Sequence, residues 1–220
     1  MPVISFASSK GGAGKTTSCI VLGSEISEST TVAMIDADPA QRMISWSKKG
    51  DLPDNIEIIS CTDENKIMDV IADAQSRATV VLVDLEGVAS RLNTFAVLRS
   101  DLVIIPMGDE QQDADAAVDT MAQVRLDGQG AGRAIETRVL FTRVKAAVKS
   151  SLQKDINGSM RANVPCFSTE LVDRTSYSSL HNQGGVLRNL SDVRGLDKAI
   201  ANAEALAAEV LEVLVAENAA

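Results

Sequence analysis

Ten residues near the amino terminus, Ser8-Ser9-Lys10-Gly11-Gly12-Ala13-Gly14-Lys15-Thr16-Thr17, constrain the chain more than anything that follows them. An apolar run, Val3-Ile4-Ser5-Phe6-Ala7, leads in, and a helix-forming run from Ser18 to Ile26 leads out. Strand, glycine-rich loop and helix in that order form the setting of a phosphate-binding loop. Gly11, Gly12 and Gly14 let backbone N–H groups turn toward an anion with no Cβ in the way. The start of the helix adds partial positive charge. In such a loop Lys15 reaches the β- and γ-phosphates and the Thr16 hydroxyl ligates Mg²⁺. The usual pattern has a glycine five places before Gly14. Here Ser9 stands there, and a second lysine, Lys10, opens the loop.

The rest of the chain alternates between short apolar runs and amphipathic stretches. Val32–Ile35 ends at Asp36, Ile56–Ile59 follows a Pro53-Asp54-Asn55 turn, Val80–Val83 ends at Asp84, Leu102–Ile105 ends at Pro106, and Val139–Phe141 ends at Thr142. Helices are predicted at about 17–28, 41–49, 64–76, 90–99, 111–126 and 147–161. Apolar runs of this kind suit strands buried on both faces of a parallel sheet. The expected fold is therefore α/β: a doubly wound, mostly parallel sheet flanked by helices, with ligands at the carboxyl ends of the strands. The segment 127–133 reads as a surface loop, Val164–Phe167 as a short edge strand, and Gly184-Gly185 as a turn. Leu196, Ile200, Ala203, Ala207, Val210 and Leu214 recur at helical steps and mark a final packed helix. No internal repeat is visible, and one domain over residues 1–220 is expected.

An apolar fraction of 45% and a charged fraction of 23% are those of a globular protein. Aromatic residues make up only 3%, so the core must rest on aliphatic side chains. A net charge of −9 argues against coating nucleic acid by bulk charge. Cys19, Cys61 and Cys166 stand far apart, outside any metal or redox spacing, and read as reduced thiols in a cytoplasm. Neither a signal peptide nor a membrane span is expected.

Beyond the loop, two carboxylate sites carry chemistry. In Asp36-Ala37-Asp38-Pro39, one carboxylate can support a Mg²⁺ shell while the other faces the γ-phosphate side, where it can orient or deprotonate an attacking water. Capping of the next helix is the plain alternative for such a pair. Beside a phosphate loop the catalytic reading is preferred. Asp84 fits a second Mg²⁺-side carboxylate, and Gly87 can bring a backbone N–H to the γ-phosphate, so 84–91 reads as a switch segment. Topology places Thr142 and Arg143 near the base of a bound nucleotide. Residues 133–161 hold seven basic and two acidic side chains, a net of +5. On the predicted helix, Val148, Leu152, Ile156 and Met160 form one stripe, opposite Lys154, Arg161, Ser150 and Asn157. A solvated face and a phosphate-backbone contact through Lys149, Lys154 and Arg161 fit that pattern equally. The lone His181 reads as a polar or packed residue, and Trp46 as a helix anchor.

On Lys10–Thr17, Asp36–Pro39 and the strand ending at Asp84, the chain resembles the ParA/MinD family of deviant Walker A ATPases. Asp173-Arg174-Thr175-Ser176-Tyr177, followed by a glycine turn, resembles the ParA branch, and the start of the chain so near its first strand resembles the short plasmid type. The resemblance implies ATP and Mg²⁺ as cofactors, with Lys10, Lys15 and Asp38 as catalytic residues. It implies nucleotide contacts from Lys10 to Thr17, Asp84, Gly87, Thr142 and Arg143, and metal contacts from Thr16, Asp36 and Asp84. Lys10 would reach across an ATP-sandwich homodimer to the partner's phosphates. The dimer would bind nonspecific DNA on the nucleoid. A ParB-like or small ribbon-helix-helix protein on plasmid or chromosomal cargo would stimulate hydrolysis. A protein cargo, such as a microcompartment or a chemosensory cluster, is the alternative. A MinD-like membrane switch is disfavoured by the net −4 of residues 196–220. A metabolic synthetase on the same fold has no need of Lys10, and the cysteines do not suit a cluster carrier. Two departures from the family stand out: Leu85-Glu86 after Asp84, and Ala40 between Pro39 and Gln41. The chain begins two residues before its first strand, so no preceding helix-turn-helix domain is expected.

Overall fold

The computed structural model describes residues 1–87, 89–144 and 150–218. Six strands, β1 (Val3–Phe6), β2 (Val32–Ala37), β3 (Ile56–Ser60), β4 (Val80–Leu85), β5 (Leu102–Met107) and β6 (Glu136–Phe141), form one sheet in the order β3-β2-β4-β1-β5-β6. Every pairing is parallel. The helices are α1 (Lys15–Ile26), α2 (Arg42–Ser47), α3 (Ile67–Arg77), α4 (Arg91–Leu98), α5 (Gln111–Gly130), α6 (Ser151–Asn163), α7 (Thr175–Gln183) and α8 (Leu196–Asn218). The doubly wound α/β expectation is met.

Strand periodicity divides the core in two. Ile4, Phe6, Met34, Leu82 and Ile104 face one layer, where α1, α7 and α8 pack. Val3, Ala33, Ile35, Val83 and Ile105 face the other, against α3, α4 and α5. With both faces covered, the inner strands can be apolar throughout. The edge strand β3 departs from that rule: Glu57 is exposed and pairs with Arg77. Gly23 brings α1 close to the sheet, since a Cβ there would meet Met34 Sδ at 2.7 Å. Trp46 is fully buried and anchors α2, as the sequence suggests.

Several boundaries differ from expectation. Helix α5 continues to Gly130 and absorbs part of the predicted 127–133 loop. Helix α6 begins at Ser151, where Ser150 and Gln153 form a reciprocal capping box. Val148 lies outside the described residues and Leu152 is 66% exposed, so of the predicted stripe Ile156 and Met160 are the buried members. Asn157, expected on the opposite face, is buried beside them. The turn of the helix is set by Arg161, which stacks on the Phe141 ring and bonds the Phe167 carbonyl. Val164–Phe167 reduces to a single parallel bridge, Val139 with Cys166, along the β6 edge. Helix α7 has no counterpart among the predicted helices. Its polar sequence buries only Ser176, Tyr177 and Leu180. The turn at Gly184-Gly185 forms with φ values of +75° and +71°. No helix among the described residues is long and apolar enough to cross a membrane.

Candidate nucleotide site

Three parallel strands deliver the site. β1 lies between β4 and β5, so the loop after Phe6 opens at the carboxyl edge of the sheet, where crossovers leave a crevice. Gly12 and Gly14 adopt φ values of +76° and +98°, which a side chain would strain. Gly14 caps α1 without a side-chain bond, so the first amides of that helix remain directed at the crevice. The cavity there has a volume of about 350 Å³. It is lined by Gly12 to Ser18, by Asp38 and Arg42, and by Thr142 and Arg143. α7 and the segment before it complete the wall with Arg174, Tyr177, Ser178 and His181.

Within the cavity Lys15 is 7% exposed. Its Nζ donates to the Ser8 carbonyl at 3.5 Å, and burial lowers its pKa from the ordinary lysine value. Gly87 backs onto it, since a Cβ there would stand 3.4 Å from Nζ. Gly87, just past β4, thus stands beside Lys15, while Val88 lies outside the described residues. Thr16 is buried beside Asp84. Neither Asp84 oxygen has a hydrogen bond of ordinary geometry. Burial raises its carboxyl to about 7, an effect that the neighbouring Thr16 hydroxyl and Lys15 counter only in part. A buried, unsatisfied carboxylate next to a threonine hydroxyl fits one side of a Mg²⁺ shell, with phosphate oxygens on the other.

Asp36 sits on the same rung as Asp84, in β2. Its oxygens accept from the Ile44 amide at 2.9 Å and from the Asp38 amide at 3.3 Å. Burial raises its pKa and those amides hold it down. Asp36 therefore braces the turn into α2. Asp38 diverges from it because β2 ends at Ala37; on a continuing strand the two would share a face. Asp38 lines the cavity, with one oxygen accepting from the Ala40 amide at 2.8 Å.

Thr142 buttresses the loop: its hydroxyl donates to the Ala13 carbonyl at 2.7 Å, and its side chain packs against Gly14. Arg143 has φ +55°, a left-handed conformation in a residue with a side chain. It lines the cavity and reaches Asp113 at 3.5 Å. Lys10 is not among the cavity-lining residues. Its Nζ lies 2.6 Å from Asp113 Oδ1 and 3.7 Å from Glu110. Ser9, in the place of the usual glycine, ties the loop to α5: its amide donates to Thr120 Oγ1 and its hydroxyl to the Ala116 carbonyl.

Sequence reasoning missed Asp113, Arg42, Arg174 and Tyr177 at the site, and placed His181 outside it. His181 Nε2 is 2.8 Å from Thr17 Oγ1. Burial, with Lys49 and Arg42 nearby, lowers its pKa. The one available signal was the Asp173–Tyr177 string before the glycine turn. The basic stretch is not a bare patch. Arg133 bonds the Leu98 and Ser100 carbonyls, Arg138 pairs with Glu136, and Arg161 pairs with Glu170. Lys154 is exposed on α6, and Lys149 lies outside the described residues.

Comparison with known proteins gives a consistent picture. Residues 1–216 match the VirC1 protein family. The chain is 38% identical to Protein ParA of Rhizobium radiobacter over 217 residues, which is 97% of this chain and 98% of that one. Apo McdA from Cyanothece has a TM-score of 0.78 at 19% identity, covering 94% of this chain and 99% of that one. A plasmid partition protein from Borrelia burgdorferi bound to AMPPNP has a TM-score of 0.72 at 17% identity, covering 96% and 98%. These two likenesses are to the fold. The chain belongs to the VirC1 family and to the ParA proteins of the ParA/MinD group of ATPases.

Proposed function

We propose that residues 1–220 form one Mg²⁺-dependent ATPase domain that dimerises around ATP, binds nonspecific DNA as a dimer, and partitions plasmid or chromosomal cargo. The division of the two loop lysines carries this reading: Lys15 faces the cavity, whereas Lys10 stands outside it on the rim. A lysine outside its own cavity suits contact with a nucleotide held by a second copy.

In this reading the α1 amides, Gly11 to Gly14 and Lys15 hold the phosphates, and Thr17 orients toward them from His181. Thr16 and Asp84 hold Mg²⁺, which supplies charge neutralisation at the phosphates. Asp36 adds its charge one strand away while bracing the turn that presents Asp38. Asp38 orients the attacking water. Gly87 lies where it can report the γ-phosphate through Lys15, and Thr142 and Arg143 shape the wall toward the nucleotide. DNA contact passes through Lys149 and Lys154, with Arg161 as a flanking charge. A ParB-like or small ribbon-helix-helix protein stimulates hydrolysis and releases the dimer, so the protein is cytoplasmic and gathers on the nucleoid when ATP-bound.

A titration of nonspecific duplex DNA with ATP, with ADP and without nucleotide, at several salt concentrations, tests this. Tight binding only with ATP, weakening steeply with salt, is the expected result. DNA binding indifferent to nucleotide would overturn it.

A further inference from the structure

Asp113 opens the first turn of α5 and is 2% exposed at its side chain. A carboxylate so buried needs a partner. It has two cations, Lys10 at 2.6 Å on one oxygen and Arg143 at 3.5 Å on the other. The chain makes room for this cluster. A Cβ on Gly108 would overlap Asp113 Oδ2 and come within 2.7 Å of Arg143 Nη2. Arg143 takes up its left-handed backbone in the same place. The Asp113 bond raises the Lys10 pKa, so the ammonium stays charged.

We infer that Asp113 is a positioning residue for Lys10, holding its ammonium on its own protomer until the phosphates of a second copy's nucleotide displace the carboxylate. Two features make the hold reversible. Lys10 is 30% exposed, so it can leave without unfolding the loop. Arg143 remains beside Asp113 when Lys10 departs, so the buried carboxylate is not stranded without a countercharge. The hold raises the threshold for dimerisation without touching the phosphates that Lys15 and the α1 amides grip. It rests on the reading that Lys10 acts across the dimer.

The test is sedimentation of the full chain with AMPPNP and Mg²⁺ over a range of protein concentrations, beside nucleotide affinity measured on the dilute monomer. Asp113→Asn should lower the concentration for half-dimerisation about tenfold, a weight between those of an exposed and a buried ion pair. Monomer affinity should change by less than about twofold. In a Lys10→Gln background the gain should vanish. Gly108→Ala, which pushes the carboxylate aside, should shift dimerisation the same way by less, and it carries the test if Asp113→Asn melts early. A Lys10→Gln defect with no gain from Asp113→Asn or Gly108→Ala overturns the hold alone. So does an equal gain with Lys10 removed. A Lys10→Gln chain that dimerises like the parent overturns the cross-dimer reading, and the hold with it.

Discussion

Lys15 and Lys10 stand in one short loop, yet their surroundings have little in common. Lys15 lies in the inner wall, buried among the Ser8 carbonyl, Asp84 and Gly87. Lys10 lies on the outer rim, partly exposed and resting on Asp113 from α5. The inner wall holds groups whose demands are unmet: Lys15 is desolvated, both Asp84 oxygens lack ordinary bonds, and the α1 amides point into space. The rim holds charges already paired with one another: Asp113 lies between two cations, although neither of its oxygens has a hydrogen bond of ordinary geometry, and Ser9 bonds Thr120 and Ala116. The contrast teaches that the inner wall lacks countercharges that a bound anion and cation would supply, whereas the rim carboxylate already has its own.

The widest separation of the two regions comes from Lys15→Ala. On the proposed reading it removes charge-assisted bonds to two phosphates, so ATP binding should weaken about a thousandfold, roughly 4 kcal/mol. Calorimetric titration checks this, and affinity within a few fold of the parent would break the comparison. Next in size is Asp38→Ala. ATP turnover should fall about a hundredfold while ATP affinity holds, as removal of a water-positioning carboxylate predicts. A phosphate-release assay beside the same titration reads both.

A third measurement sharpens the inner wall by pH. In the folded chain the Asp84 carboxyl sits at about 7 against an ordinary 3.8. Between those values the folded state keeps a proton that the unfolded chain has lost, so stability without nucleotide or Mg²⁺ should fall as pH rises from about 4 to about 7. Asp84→Asn should flatten that slope in urea unfolding series, and an unchanged slope would show that Asp84 is not the titrating group. The smallest effect is expected of Thr142→Val. Losing the bond to the Ala13 carbonyl should cost about 1 kcal/mol and lower Tm by roughly 2–4 °C. A calorimetric melt measures it.

How much of this was legible beforehand follows from what is local in sequence. The inner strands are buried on both faces, so Val80–Val83 and Leu102–Ile105 announce themselves as continuous apolar runs. The phosphate loop is legible because its glycines and lysines sit within a few residues. Lys10's partner was not, since Asp113 meets it only after β5 pairs beside β1 and sets α5 against the loop. The cavity wall from α7 was hidden for a related reason. Its sequence is mostly polar, and only Tyr177 and Leu180 reach the apolar core, too short a stripe to mark a helix in sequence. Asn157 was assigned to the polar face because the stripe was counted from Val148, while the capping box starts the helix later and Arg161 sets its rotation.

In the proposed cycle the rim lysine works across a dimer formed around ATP. Sedimentation velocity with AMPPNP and Mg²⁺, with ADP and Mg²⁺, and without nucleotide, on the parent chain and Lys10→Ala, measures this most directly. The parent should be a dimer with AMPPNP alone, and Lys10→Ala should bind AMPPNP yet remain a monomer. A dimer that forms regardless of nucleotide, or a Lys10→Ala chain that dimerises like the parent, would contradict it.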